Sequence, residues 1–251
     1  MNTAEKITPV IRDVGDSALL IELGDQLDLR INRAVQVFDR LVNSEPVTGV
    51  IDTSPTLRSL LVRFNPLLIS HGALREVLHE RLQHLAHAEA SHATRRWRVP
   101  VYYGGDNESE LNDVASLLSL SVDEVIAEHC EFIQTVLTLG FAPGFLYLGL
   151  LPQHWHIPRL EQVKPRVPAG SVSVAVGQTV LTSTPIPTGW RTIGVTPFCN
   201  FYPMQANPFR IEAGDQLHFY AIDENELHKM RKAVQRGESV VEYTTMQSPT
   251  Q

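Results

Sequence analysis

The chain has 251 residues, 43% apolar and 20% charged, an ordinary globular composition that excludes a chain disordered throughout. Acidic residues outnumber basic ones, 28 to 21, for a formal charge of −7, and a nucleic-acid groove needs the opposite surplus. The two cysteines, Cys130 and Cys199, lack CxxC spacing and are too few for a disulfide framework or a structural zinc site.

Met1 to Lys6 carry no basic n-region and no apolar h-region, so no signal peptide is expected and the expected location is the cytoplasm. Strands are predicted at 10–14 and 17–23, around a turn at Gly15 and Asp16. Asp28 then caps a helix whose apolar stripe is Ile31, Ala34, Val35, Phe38, Leu41 and Val42. Two further strands, 49–53 and 57–64, lead to a second helix that Ser70 caps, with Leu74, Val77, Leu78, Leu82 and Leu85 inward. A strand at 97–103 follows. The order β-α-β-β-α-β matches a ferredoxin-like split βαβ pattern, so an α/β domain is expected over residues 1–95.

A helical insert is predicted at 108–130. Leu111, Val114, Leu117 and Leu118 form one short amphipathic helix, and Ser121 with Glu124 makes a capping box for the next. Residues 132–158 contain no Asp, Glu, Lys or Arg, yet Gly140, Pro143, Gly144, Gly149 and Pro152 break the stretch. Buried strands and turns are expected there, with no membrane span. Ten of the sixteen prolines lie between Pro143 and Pro208, among short alternating runs at 171–176, 179–184, 190–195 and 216–222. Strands parted by Gly/Pro turns predict an antiparallel barrel or sandwich. Asp223 opens a last short helix, and residues 244–251 are expected to be a flexible tail.

Several chemistries have no motif. There is no GxxxxGK[ST] or GxGxxG nucleotide cradle, no HExxH and no GxSxG elbow. His79, His84, His87 and His92 crowd one polar, Glu-rich helical region, which reads as a solvated face and not as a metal site.

The informative block runs from Gly140 to Pro208. It holds Gly140-Phe141-Ala142-Pro143-Gly144-Phe145-Leu146-Tyr147-Leu148-Gly149, then Pro165-Arg166-Val167-Pro168-Ala169-Gly170-Ser171-Val172. Gly177-Gln178-Thr179, Thr188-Gly189-Trp190 and Ile193-Gly194-Val195-Thr196-Pro197 follow. This run resembles the family of 5-oxoprolinase B-type subunits, which also covers the allophanate hydrolase subunit 1 domain and the kinase inhibitor KipI. The resemblance spans nearly the whole chain and is strongest from Val101 through Asp215. Departures include Thr188-Gly189-Trp190, where the family tends to have Gly-Gly-Trp, Val174-Ala175-Val176-Gly177 in place of a Gly-rich segment, and Phe132 in place of Tyr.

Candidate site residues follow from chemistry. Arg166, between Pro165 and Pro168, either holds a carboxylate or phosphate with paired hydrogen bonds or ties its own loop to backbone carbonyls. Gly170 and Ser171 offer an N–H and a hydroxyl to an oxyanion, or simply make a tight turn into a strand. Gln178 would read an amide ring or fix a loop. His129 lies on the apolar face of its helix; it is either a hydrogen-bonded core histidine or an acid/base beside the Gly140 block. The catalytic candidates are His129, Arg166 and Ser171, with Gly170, Gln178, Phe145, Trp190 and Thr196 as substrate contacts.

The resemblance implies a small α/β N-terminal domain and, over 96–243, a cyclophilin-like antiparallel β-barrel. It also implies the B-type component of a 5-oxoprolinase that cleaves 5-oxo-L-proline to L-glutamate with ATP, in complex with A-type and C-type 5-oxoprolinase subunits. This chain is then expected to bind no cofactor itself, the complex using ATP, and to be inactive alone on its small anionic cyclic-amide substrate. Two alternatives stay open within the family: an inhibitor that binds a sensor histidine kinase, and a component acting on allophanate or another urea derivative.

Overall fold

The computed structural model describes residues 8–85, 94–104 and 109–246. The chain divides into two compact units, after His92.

In the first unit, strands β1 (Val10–Val14), β2 (Ala18–Glu22), β3 (Val50–Pro55) and β4 (Ser59–Phe64) form one sheet in the order β1-β2-β4-β3. Every pairing is antiparallel. Leu19 and Ile21 alternate inward on β2, and Leu60, Val62 and Phe64 on β4. Helices α1 (Leu29–Ser44) and α2 (His71–Gln83) complete this core with Ala34, Val35, Phe38, Leu74 and Leu78. Both predicted caps form: Asp28 accepts from the Arg30 N–H at 2.6 Å, and Ser70 from the Ala73 N–H at 3.2 Å.

This sheet departs from the ferredoxin-like expectation. The strand meant to complete it, β5 (Thr94–Tyr103), belongs to the second unit. Period-2 alternation says that a strand has one buried face, but not which sheet it joins.

The second unit is built on β5, whose Trp97, Val99, Val101 and Tyr103 all point inward. The remaining strands are β6 (Ile133–Leu139), β7 (Leu146–Gly149), β8 (Lys164–Val167), β9 (Ser171–Ala175), β10 (Gln178–Leu181), β11 (Ile186–Thr188), β12 (Arg191–Val195), β13 (Gln216–Ala221) and β14 (Glu242–Met246). Six of them close a seven-stranded ring with β5, in the order β12-β9-β10-β7-β6-β13-β5, and β5 returns to β12. The β5–β13 pairing is parallel, and β14 lies outside the ring on the first half of β5. The expectation of a barrel therefore holds, but not of a wholly antiparallel one, since β5 and β13 run parallel; the uncharged stretch predicted as buried strands supplies β6 and β7.

The predicted helical insert forms α3 (Leu111–Leu118) and α4 (Val122–Glu131), with the Ser121/Glu124 capping box in place. Helix α5 (Glu224–Gln235) follows β13, opened by a second capping box at Asp223 and Glu226. The expected flexible tail is corrected in part. Thr244, Thr245 and Met246 are strand residues paired with Arg96, Arg95 and Thr94. Residues 247–251 lie outside the described set.

Two polar staples hold loops to the barrel. Buried Asp215 accepts from Arg95 Nε and Nη2 at 2.9 and 2.7 Å, from Trp97 Nε1 at 3.0 Å and from the Glu212 N–H at 3.0 Å. Asn200, fully buried, donates to the Ile211 carbonyl and accepts from the N–H groups of Arg210 and Ile211.

The ring closes where Gly194 faces Tyr103 and Val195 faces Tyr102. A Cβ on Gly194 would sit 2.7 Å from the Tyr102 carbonyl oxygen and 2.8 Å from Val101 Cγ1. Backbone cannot retreat there without opening the seam. Gly194→Ala is expected to cost about 1–3 kcal/mol, as overpacking does, read as a lowered urea midpoint. A variant as stable as the parent would show that the seam has slack.

Candidate functional site

His129, on α4, is wholly enclosed by the barrel interior. Its Nδ1 lies 2.7 Å from the Tyr103 hydroxyl and its Nε2 3.0 Å from Thr179 Oγ1, and its ring stacks on Phe219 at 5.0 Å. Gln134 Nε2 approaches at 3.4 Å, and the Cys130 thiol donates to the Tyr103 hydroxyl. Burial drives the imidazole pKa down to about 3, because enclosure strips the charged form of its solvation. The ring is therefore neutral and sealed inside the core, away from the outer face that carries Gln178 and Trp190.

Arg166 and Ser171 are not brought together either. Arg166 is exposed on β8, with no hydrogen bond or ion pair among the described residues. Ser171 is fully buried and its hydroxyl donates to the Pro168 carbonyl at 2.8 Å. Thr182 Oγ1 donates to the same carbonyl and accepts from the Ser171 N–H. The backbone of Gly170 is engaged on both sides: its N–H donates to Thr182 O and its carbonyl accepts from the Thr196 N–H, each at 2.8 Å. A Cβ at Gly170 would lie 2.3 Å from the Thr196 carbonyl oxygen. Thr196, buried, accepts the Phe198 N–H. These four positions make a stiff turn, and the oxyanion donors read from sequence point into it.

Gln178, Phe145 and Trp190 do converge. Along β10, Thr179 faces the barrel interior and reaches His129, so Gln178 and Val180 face outward. Val180 packs there with Phe145, Ala175 and Trp190, and Ala175 is the cross-strand partner of Gln178. The two-stranded β8–β11 sheet covers this layer with Val167 and Ile186. Tyr147 joins the strip, its ring 4.9 Å from Phe145 and 6.2 Å from Trp190. The guanidinium of Arg159 lies 5.5 Å over the Trp190 ring. Half-burial raises the Tyr147 phenol pKa, and Arg159 partly opposes that shift.

Arg159 is held there by its neighbours. Leu160 N–H donates to Gly189 O at 2.7 Å, the Arg191 guanidinium donates to Pro158 O, and Ile157 O accepts from the Val176 N–H. The sequence alone reads Tyr147, with Phe141, Phe145 and Trp190, as core or cleft wall, and it stands two residues beyond Phe145 on the outward face of β7. Arg159 lies in an irregular segment and carried no periodic signal.

Two features mark this layer. Gln178 Nε2 is buried and has no hydrogen-bond partner among the described residues. An unmet buried donor costs about 1–3 kcal/mol. Immediately before it, Val176 and Gly177 form a two-residue hairpin loop with φ of 47° and 75°. Such a loop favours Asn-Gly, and a β-branched residue at its first position is strained. The arrangement offers a small ligand a buried amide donor, aromatic walls and a guanidinium.

The first unit carries a separate polar cleft of about 520 Å³, lined in part by Arg12, Glu22, Asp25, Asp28, Arg30 and Arg58. Its guanidiniums are already engaged: Arg12 with Glu22, Arg30 with Asp28, and Arg58 with the carbonyls of Gly24 and Asp25. Among the described residues no group of three or more His, Cys, Asp or Glu is placed to hold a metal; His87 and His92 lie outside that set. No described helix is long and apolar enough to cross a membrane.

Comparison with known proteins agrees with the fold. The pattern described as carboxyltransferase domain, subdomain C and D, matches residues 9–211. The B-type subunit of Bacillus subtilis 5-oxoprolinase is 34% identical over 88% of this chain and 96% of its own length. The protein of the same name from Escherichia coli O157:H7 is 32% identical over 82% and 93%. A solved structure of TTHA0988 superposes with a TM-score of 0.72 at 28% identity, covering 85% of this chain. The chain spans only 40% of TTHA0988. Kluyveromyces lactis urea carboxylase shares the fold, with a TM-score of 0.79 at 17% identity over 98% of this chain and 24% of its own.

The buried imidazole sets a pH dependence. In the unfolded chain His129 takes a proton below its ordinary pKa of 6.5, whereas the folded ring resists until about pH 3. Its contribution is therefore fully present above pH 6.5 and is lost steadily between 6.5 and 3, by about 1 kcal/mol per pH unit. The expected observations are a urea midpoint that drops through that window and a His129 ring resonance that does not titrate before unfolding. A titration near pH 6 would show that the ring is hydrated.

Proposed function

This chain belongs to the carboxyltransferase subdomain C and D family, and we propose that within it the chain is the B-type subunit of an ATP-dependent 5-oxoprolinase. The observation that carries this reading is end-to-end similarity, 34% identity spanning 96% of the Bacillus subtilis protein. Its partners in this reading are an A-type subunit, which handles ATP and substrate, and a C-type subunit that completes the cleft.

The chemistry explains the need for partners. A five-membered lactam is a resonance-stabilised amide and a poor electrophile. Transfer of the γ-phosphoryl group of ATP to the lactam oxygen leaves ADP and activates the carbon. Water adds to that carbon, the C–N bond breaks, and the nitrogen leaves protonated as the free amine. A second water hydrolyses the acyl phosphate to glutamate and inorganic phosphate. Premature water would waste the activated species, so the site must be closed while it exists.

The residues of this chain that suit the task lie on the outer layer. Gln178 Nε2 donates to an oxygen of the cyclic amide, its missing partner in the isolated chain. The Tyr147 and Trp190 rings wall the ligand. His129 acts from the interior as a structural support for β10 through Thr179.

Reconstitution tests the reading. Glutamate release from 5-oxo-L-proline is expected only when this chain, both partner subunits and ATP are all present. Turnover by this chain alone, or ammonia release from allophanate in place of glutamate release, refutes it. Within the active complex, Gln178→Met is expected to lower kcat/KM at least tenfold. The same change leaves the isolated chain as stable or more so, because it removes an unmet donor.

A further inference from the structure

Phe141 is placed at odds with its own chemistry. Its side chain is large and apolar, yet the residue is 71% exposed. Its φ is +69°, the left-handed region that a bulky residue adopts only under strain. Contact with Phe145, ring centres 5.8 Å apart, is the ring interaction it makes among the described residues.

The loop is nevertheless fixed. Phe145 N–H donates to Ala142 O at 3.1 Å and Gly140 N–H to Phe145 O at 3.2 Å. Buried Ser183 donates to Gly144 O at 2.9 Å and in turn accepts the Asn200 N–H at 2.8 Å. Asn200 is the staple that anchors residues 210 and 211. A rigid base therefore presents Phe141 outward in a conformation that brings the isolated chain neither burial nor relaxed backbone. Strain of this kind gathers where another molecule is engaged.

Phe141 also begins the aromatic strip. Phe145, Tyr147 and Trp190 continue it, and Arg159 ends it as an exposed guanidinium with no carboxylate partner among the described residues. An apolar knob at one end and an unpaired cation at the other fit a folded protein surface with an apolar pocket and a carboxylate beside it. In TTHA0988 the counterpart of this chain is part of a longer polypeptide, so further protein accompanies this fold there.

We propose that Phe141 is the anchor on which the C-type subunit docks over the aromatic strip, with a carboxylate of that protein facing Arg159. The proposal rests on the 5-oxoprolinase reading given above and names the surface through which that complex forms.

The test measures affinity of the full chain for the C-type subunit by titration calorimetry, beside thermal melts of the chain alone. Phe141→Ala and Phe141→Gly are expected to weaken binding at least tenfold. Phe141→Gly is expected to melt no lower than the parent, since glycine accepts the left-handed backbone. Arg159→Glu is expected to weaken binding at least tenfold at low salt, and less so at high salt. Leu67→Ala, 91% exposed on the first unit, is the control and should bind as the parent does. If the parent binds and both Phe141 variants bind within twofold of it, docking at Phe141 is overturned while the 5-oxoprolinase reading stands. If both variants melt well below the parent, Phe141 is a packing residue and the anchor role fails. If the parent chain does not associate with the C-type subunit, the 5-oxoprolinase reading falls as well.

Discussion

The second unit depends on a seam where two strands come unusually close. Gly194 on β12 lies so near the Tyr102 carbonyl that no side chain fits between them. That approach turns an open sheet into a ring and leaves β5 paired along both edges. Closure removes the unpaired edges that an open sheet must otherwise protect. It also creates an interior in which alternate residues of seven strands pack together, and this is what seals in the Tyr103–His129–Thr179 network. A polar cluster so enclosed is stable only when its members satisfy one another, and the neutral imidazole does this by bonding through both ring nitrogens.

The outer layer follows a different rule. There the unmet Gln178 donor, the left-handed Val176 and the exposed, left-handed Phe141 accumulate on neighbouring segments. Each lowers the stability of the isolated chain. The interior, by contrast, is well packed. Local rules tend to fail where a binding or catalytic surface is maintained at the expense of stability. Gln134 Oε1, inside the barrel, likewise lacks a partner among the described residues; what sets the outer face of β7 and β10 apart is that an unmet donor coincides there with two left-handed, non-glycine residues.

Residue chemistry alone proved an uneven guide to the site. Arg166, Gly170 and Ser171 attract attention in sequence because a proline-flanked guanidinium and a Gly-Ser pair suit an anion. Folded, the Ser171 hydroxyl and the Gly170 backbone are engaged within a turn, and Arg166 points to solvent on the strand before it. A hydroxyl's availability depends on which carbonyl stands beside it, here Pro168, and spacing does not reveal that. Gln178, Phe145 and Trp190 did converge, for a reason the sequence partly held: period-2 alternation puts Phe145 with Tyr147, and Gln178 with Val180, on one face. Arg159, in an irregular segment, joined them only through the bonds that hold Pro158 and Leu160.

Local and periodic features were legible without coordinates. The caps at Asp28, Ser70 and Ser121, the apolar stripe of α1, the turn-rich second half and the lack of nucleotide motifs all depend on residues within a few positions of one another. What tertiary structure decided were the long-range pairings. It sent β5 to the barrel and away from the first sheet, and paired residues 244–246 with residues 94–96. It turned His129 inward and left Phe141 outside. Each of these is settled by contacts between residues tens of positions apart, whose free energy depends on which surfaces meet and not on the identity of any one residue.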